Sequence, residues 1–432
     1  MARQMNNCAS REQNQACLNS AEAQPILERK LKDSGIEWIR EIPEDWKTCK
    51  LKALISINNG SDYKQYESED GYPVIGSGGQ FAFSSNFLYD GEVVLLGRKG
   101  TIDRSLYYNG KFWTVDTMFY GIPNNNVHCK YVYYFCTILP FKMYSTQTAL
   151  PSMTQTILNS VDSFFPPFPE QQAIANFLDK KCGEIDELVS VEEAIIESLK
   201  TYKQSVITET VTRGLNPNVK LKDSGVEWIG EIPEHWEICK IKNIFFLSTG
   251  TTPKGFDTIN EDEEVVNWYT PSDIIDGGNE LWDSQRKLSK IVIENERIKM
   301  YPTYSLIYVG IGATAGKVGY SHEEGYSNQQ ITALIPKGKG DKYYYYFLNV
   351  MNKIIRENAY FTTLPIINNS YLGQTYISFP PIVEQSLIVD YLDKKCSDID
   401  ALVALHQEKI ETLKTYKQSM IFEYVTGKKE VV

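Results

Sequence analysis

The chain writes one passage twice. LKDSGIEWIREIPEDWKTCKLK, beginning at Leu31, returns as LKDSGVEWIGEIPEHWEICKIK from Leu221, with 16 of 22 positions identical. A second passage, PPFPEQQAIANFLDKKCGEIDELVSVEEAIIESLKTYKQS from Pro166, returns as PPIVEQSLIVDYLDKKCSDIDALVALHQEKIETLKTYKQS from Pro380. Two long near-copies in the same order constrain the fold more than any single motif, because each copy has to reach the same local structure. A period of about 200 residues excludes a solenoid of short repeats and predicts two globular domains, each followed by a helix.

The offset between copies is 190 at the first passage and 214 at the second, so the second copy holds about 24 extra residues. GRKGT at 97 faces GIGAT at 310, WTVDTM at 113 faces YSNQQI at 326, and KYVYYF at 130 faces KYYYYF at 342. The extra residues therefore lie at about 243–300, with INEDEEVVNW and IIDGGNELWD as candidates. Inside the domains, VVLLGRKGTI, SLYYNGKFW and SLIYVGIGAT read as strands and hairpins, and KYVYYFCTIL and KYYYYFLNVM as buried helices.

After PPFPEQQ and PPIVEQS, no Pro or Gly interrupts 184–212 or 382–426. Apolar residues recur at heptad spacing: Leu178, Ile185, Leu199 and Val206 on one line, Leu188, Ile195 and Tyr202 on the next. The second copy supplies Leu392, Ile399, Leu413 and Met420, with Leu402 and Tyr416. This a/d pattern predicts a coiled-coil-like pair of helices, each spanning roughly 60 Å. Glu192 and His406 hold equivalent core-line positions and either face each other or reach solvent.

The expected fold class is α/β: two similar α/β domains joined by two long helices packed as an antiparallel coiled coil, with internal pseudo-twofold symmetry. The expected boundaries are a polar lead-in over 1–30, linker and first domain over 31–165, first helix over 166–214, linker and second domain over 215–379, and second helix over 380–428.

Composition narrows the class. Hydrophobic content of 42% and charged content of 23% are those of a soluble globular protein. No run of 18 apolar residues exists and the first residues lack a signal-peptide centre, so a cytoplasmic protein with no membrane partner is expected. A net charge of −11 argues against a simple nucleic-acid coat but leaves local basic groups open. The eight cysteines form no CxxC pair, and Cys49 matches Cys239 as Cys182 matches Cys396, the pattern of small buried residues in equivalent places. His128, His235, His322 and His406 are scattered, so no metal site is expected.

The order KDSGxEWIxEIPExW, a variable region, PPxxEQ, LDKKC and LKTYKQSxI resembles the specificity subunit of Type I restriction-modification systems, from about 31 to 428. The resemblance implies two target recognition domains, each reading one half of a bipartite target in double-stranded DNA, with helices that separate them. It also implies modification (methyltransferase) subunits, two of them, and restriction (translocase and nuclease) subunits as partners. S-adenosylmethionine, ATP and Mg would belong to those partners, with no cofactor in this subunit. A helical spacer fixes the gap between half-sites, and unlike readers on one chain free the target from palindromy.

Candidate DNA contacts follow from residue chemistry. Arg98 and Lys99 occupy a Gly-bounded turn, with Arg104 and Lys111 nearby. Arg suits bidentate contact with guanine and Lys suits phosphate, although a solvated hairpin carries the same residues. Lys64, and Ser77 in the Gly- and Ser-rich stretch 75–86, complete the first set. In the second copy GIGATAGKVGY replaces the Arg–Lys pair and leaves Lys317 as the nearest cation, with Lys254, Arg286 and Lys287 as further candidates. Asn328, Gln329 and Gln330 suit adenine or, with greater weight, structural hydrogen bonds.

Catalytic signatures are missing. GATAGKVG fails as a phosphate-binding loop, because Ile311 stands where its first Gly belongs and Val318 where its Ser or Thr belongs. No GxSxG or HExxH occurs, and NPN at 216–218 belongs to the linker. The expected protein is a non-catalytic DNA-recognition subunit. The alternative is a protein-interaction scaffold without sequence-specific DNA binding.

Overall fold

The computed structural model describes residues 29–145, 151–254, 264–338, 341–357, 360–361 and 365–431. They form two compact units. One runs to Val191 and is completed by the residues from Lys409 onward; the other is Glu192–Glu408.

The repeated passage builds the same joint in each unit. Leu31–Asp33 pairs antiparallel with Glu41–Pro43, and Leu221–Asp223 pairs with Glu231–Pro233 in identical register. Asp33 Oδ1 accepts from the amide of Gly35, and Asp223 Oδ1 from that of Gly225, both at 2.9 Å. These glycines sit at φ +68° and +70°, where a side chain would be strained, so the DSG triplet makes the turn. Trp46 and Trp236 close the passage and are fully buried. The next strands, Lys47–Lys50 and Glu237–Lys240, pair with Asp162–Phe165 and Tyr376–Phe379, tying the start of each globular domain to its end.

Helix α1 (Cys129–Thr137) and helix α3 (Asp341–Glu357) are the aromatic runs expected to be buried helices. Helix α2 (Phe168–Arg213) has 46 residues and helix α4 (Ile382–Val425) has 44, each about 65–70 Å long at 1.5 Å per residue. Both start at PPxxEQ. The prolines lack amides that a helix start leaves unpaired, and Glu170 and Glu384 favour the positive end of the helix. Nε2 of Gln171 and of Gln385 donates to the carbonyl of Pro166 and of Pro380, each at 2.8 Å.

The same residues seat the globular domain on its helix. Trp46 Nε1 donates to Glu170 Oε2 at 3.0 Å, and Trp236 Nε1 to Glu384 Oε2 at 2.8 Å. Asp179, the acid of LDKKC, takes Lys130 and the Tyr134 hydroxyl; Asp393 takes Lys342 and Tyr346. Burial and these carboxylates hold the Tyr134 and Tyr346 hydroxyls protonated, far above a phenol's ordinary range. Tyr131 donates to the carbonyl of Val425 at 3.1 Å, and Tyr343 to that of Val211 at 2.7 Å. Each domain is thus bonded to the start of one long helix and the end of the other.

Within each unit the helical segments run antiparallel. In the first, Phe177 meets Tyr424 and Asp186 meets Lys417; in the second, Glu192 meets His406 and Lys203 meets Asp400. Leu178, Ile185, Leu392 and Ile399 are buried, and Ile195, Leu199 and Leu413 half-buried. The second line of the seam differs from the one read from apolarity. Leu188, Tyr202, Leu402 and Tyr416 are 46–60% exposed. The buried and half-buried positions one residue on, Val189, Ile196, Lys203, Val403, Ile410 and Lys417, take their place. From an a residue, four steps rather than three reach the partner, and the lysines on this line satisfy themselves with Asp400 and Asp186. Gly183 lies inside α2 without interrupting it.

The sheet of the first unit contains β1 (Ile55–Asn59), β2 (Glu67–Ser68), β3 (Tyr72–Gly76), β4 (Gly79–Ser84), β5 (Tyr89–Gly97), β6 (Leu106–Thr114) and β7 (Met118–Pro123), in the order β1-β7-β5-β6-β3-β4-β2. The second unit has β8 (Phe245–Thr249), β9 (Val265–Tyr269), β10 (Asn279–Leu281), β11 (Lys287–Ser289), β12 (Leu306–Val309), β13 (Val318–Ser321), β14 (Tyr326–Ser327) and β15 (Ile331–Pro336). They form sheets β8-β15-β12-β13-β10 and β11-β9-β14. Register is shared: Phe119 pairs with Asn59 as Thr332 pairs with Thr249, and Val74 runs parallel to Trp113 as Trp268 does to Tyr326.

This correspondence locates the extra residues of the second copy. Ser77 and Gly78 alone join β3 to β4, whereas 270–286, a stretch that includes IIDGGNELWD, join β9 to β11 and contribute β10. A short helix, Lys290–Glu296, adds more. VVNW is no insertion, since it forms β9, the counterpart of β3; residues 255–263, with the INEDE of INEDEEVVNW, lie outside the described residues.

Candidate nucleic-acid interface

Both units leave their first sheet strand through a glycine that no other residue replaces. A Cβ on Gly60 would lie 2.1 Å from the carbonyl oxygen of Val115, and one on Gly250 2.2 Å from that of Ser327. The exits are hydrogen-bonded alike: Gly60 to Met118 and Ser61 to Thr114, Gly250 to Ile331 and Thr251 to Ser327. Four residues past each glycine stand Lys64 and Lys254, both exposed. Their amides are held by carboxylates, Asp62 at 3.0 Å for Lys64 and Glu296 at 2.9 Å for Lys254.

The Arg98–Lys99 turn is clamped by its backbone. Arg98 and Lys99 amides both donate to the carbonyl of Thr117, Gly100 donates to Pro151, and Met153 donates to Arg98. The Arg98 guanidinium bonds the carbonyl of Asp116 at 3.2 Å and lies 5.7 Å from the Phe119 ring, which leaves it half-exposed. Lys99 is exposed beside it. Lys111 stands apart, over the rings of Phe87 and Tyr72 at 4.9 and 5.6 Å. Arg104 is exposed, and its charge is felt by Tyr133 of α1. Ser77 is half-exposed in the β3–β4 turn.

In the second unit the candidate cations are mostly committed. Lys287 Nζ bonds Asn267 at 2.5 Å and also reaches Asp283; burial pulls its pKa down. Lys317 pairs with Asp276 at 3.1 Å. Arg286 is exposed, and its backbone accepts from Trp268 and from the Ser284 hydroxyl. Asn328 and Gln330 bond each other through side chains and backbone, and Gln329 takes the Thr252 hydroxyl, so this triplet shapes its loop.

Exposed aromatics went unread in the sequence. Phe81 and Phe83, 57% and 38% exposed, alternate along β4, and the i, i+2 spacing in QFAFS carries that signal. Trp282, 62% exposed, stacks on His322 with centroids 3.8 Å apart. His322 and Lys342 both hold Glu280, at 2.7 and 2.8 Å. Burial opposes ionisation of Glu280, but these two hydrogen bonds prevail and keep its carboxyl below the usual range. Among the described residues no His, Cys, Asp and Glu group is arranged to hold a metal, and no helix is long and apolar enough to cross a membrane. Cys49 and Cys239 are half-buried with thiols pushed up to about 11, which makes them unreactive.

Comparison with known proteins agrees with this duplicated frame. The family described as Type I restriction modification DNA specificity domain matches twice, over residues 43–201 and 233–415. The Type I restriction enzyme MjaVIII specificity subunit of Methanocaldococcus jannaschii is 22% identical over 426 residues, covering 90% of this chain and 93% of that protein. The Type I restriction enzyme EcoBI specificity subunit of Escherichia coli is 23% identical over 440 residues, covering 92% and 89%. A chain solved in work on complex assembly and conformational transition of the type I R-M system has the same fold. Its TM-score is 0.69 at 15% identity, over 90% of this chain and 99% of that one. With both copies matched across their length, the chain belongs to the Type I DNA specificity family and is a specificity subunit with two recognition domains.

Proposed function

We propose that this subunit is non-catalytic and that each recognition domain reads one half of a bipartite duplex target, while the long helices set the interval between half-sites. The observation that carries the reading is the shared frame with unlike loops. The register of the matched strands and the helix joint repeat, whereas GRKGT faces VGIGA and a two-residue turn faces 270–286. A frame kept twice with different loops suits two readers of different sequences.

Arg98 and Lys99, backed by Arg104, Lys111 and Ser77, serve the first half-site in this reading. Lys254, Arg286, Lys287 and Lys317 serve the second. Two equivalent joints support two modification subunits, which with restriction subunits would bring S-adenosylmethionine, ATP and Mg in the cytoplasm. Reconstitution with a modification partner and selection from random duplexes tests the proposal. A split motif is the expected product; recovery of DNA with no preferred sequence would favour the protein-interaction scaffold.

A further inference from the structure

The internal duplication separates residues that both half-sites need from residues that only one needs. A contact that reads a base has to differ between unlike half-sites, whereas a contact to the phosphate backbone does not. Arg98 and Lys99 have no cationic counterpart, since Gly310 and Ile311 stand in their place: Gly310 bonds Gln330 and Ile367 as Arg98 bonds Thr117 and Met153. Lys111 packs on aromatic rings, Lys287 on Asn267 and Asp283, and Lys317 on Asp276. Lys64 and Lys254 behave otherwise. They share one offset, 190, with the strands they follow. Each hangs from a glycine pressed against a carbonyl, which fixes where the loop leaves the sheet.

Each lysine also has its own amide tied to a carboxylate, supplied locally by Asp62 in one unit and by Glu296 in the other. The two units therefore reach one arrangement with different residues: the loop is held by its backbone, and the ammonium makes no ion pair or hydrogen bond among the described residues. We propose that Lys64 and Lys254 are paired phosphate contacts, one per half-site, that seat each domain on duplex DNA whatever bases lie there. The inference deepens the half-site reading and rests on its premise that both domains touch DNA.

The test uses the full chain with its modification partner and compares Lys64→Gln, Lys254→Gln and the double variant with the unsubstituted protein. Binding is measured against salt concentration on a selected duplex and on a random one. Each single variant is expected to bind both duplexes about five- to tenfold more weakly near 0.1 M salt, and to lower the salt slope by about one. The double variant should lose about twice the slope, and Lys64→Arg should restore binding. Unchanged affinity, or a loss confined to one base of one half-site, overturns the inference. The random duplex decides it even where no motif is recovered, an outcome that would count against half-site reading alone.

Discussion

His406 Nδ1 lies 2.5 Å from Glu192 Oε2 in the seam of the second unit, where the carboxylate is 4% exposed. Taking one hydrogen-bond partner from a buried carboxylate costs more than that pair contributes. His406→Ala is expected to destabilise the protein by about 2 kcal/mol in urea unfolding. Joint replacement of Glu192 and His406 by Leu should recover that loss, since an apolar pair fits a heptad seam. A double variant less stable than His406→Ala alone would contradict this account.

The tryptophan joints give a second prediction. Trp46→Phe keeps the ring but removes the bond to Glu170, and ~1–2 kcal/mol should be lost. Trp46→Ala empties the site between Phe164 and the helix and should cost ~3–5 kcal/mol. The Trp236 pair should behave alike, and equilibrium unfolding measures all four.

Glycine replacement gives a third. Gly427 sits at φ +69°, and a Cβ there would lie 2.5 Å from the Pro43 ring. Gly427→Ala therefore combines strain with overlap and should destabilise by ~2–4 kcal/mol, against less than ~1 kcal/mol for Gly78→Ala, whose Cβ meets open space. Thermal melting compares the two.

Acid sensitivity gives a fourth. Glu280 has its carboxyl depressed in the fold by Lys342 and His322, against burial. A depressed acid stabilises above its unfolded pKa, and the contribution disappears as pH falls through the lower folded value. Glu280→Gln should cost about 1 kcal/mol at neutral pH, less as pH falls below the ordinary carboxylate range, and nothing once pH is below the lowered folded value. A variant gap that stays constant between pH 7 and about 3 would rule the linkage out.

Base reading gives a fifth. Arg98→Ala should relax one position of one half-site by ~1–3 kcal/mol and leave the other half-site untouched. Selection from random duplexes with the variant complex reads both halves at once.

The joint was legible because its residues are nearly identical in both copies, and aromatic runs and heptads announced the helices. The second seam line was not. Leu188, Leu402 and Tyr416 are apolar yet exposed, while the seam itself takes Lys203, Lys417, Glu192 and His406. Apolarity cannot choose between three and four steps when polar seam residues satisfy one another across the interface. The strand β10 was hidden for a different reason: it pairs parallel to β13 and has no counterpart in the first copy. Lys64 and Lys254 could be matched by offset alone, but the carboxylates on their amides come from unrelated places, and only folding brings Glu296 to Lys254.

The first unit draws on two separated stretches of the polypeptide, the second on one uninterrupted stretch. During synthesis the later-made unit therefore has all its parts before the earlier one, whose Tyr131 waits for the carbonyl of Val425. A chain ending at residue 408 would have its second half able to close and its first half open.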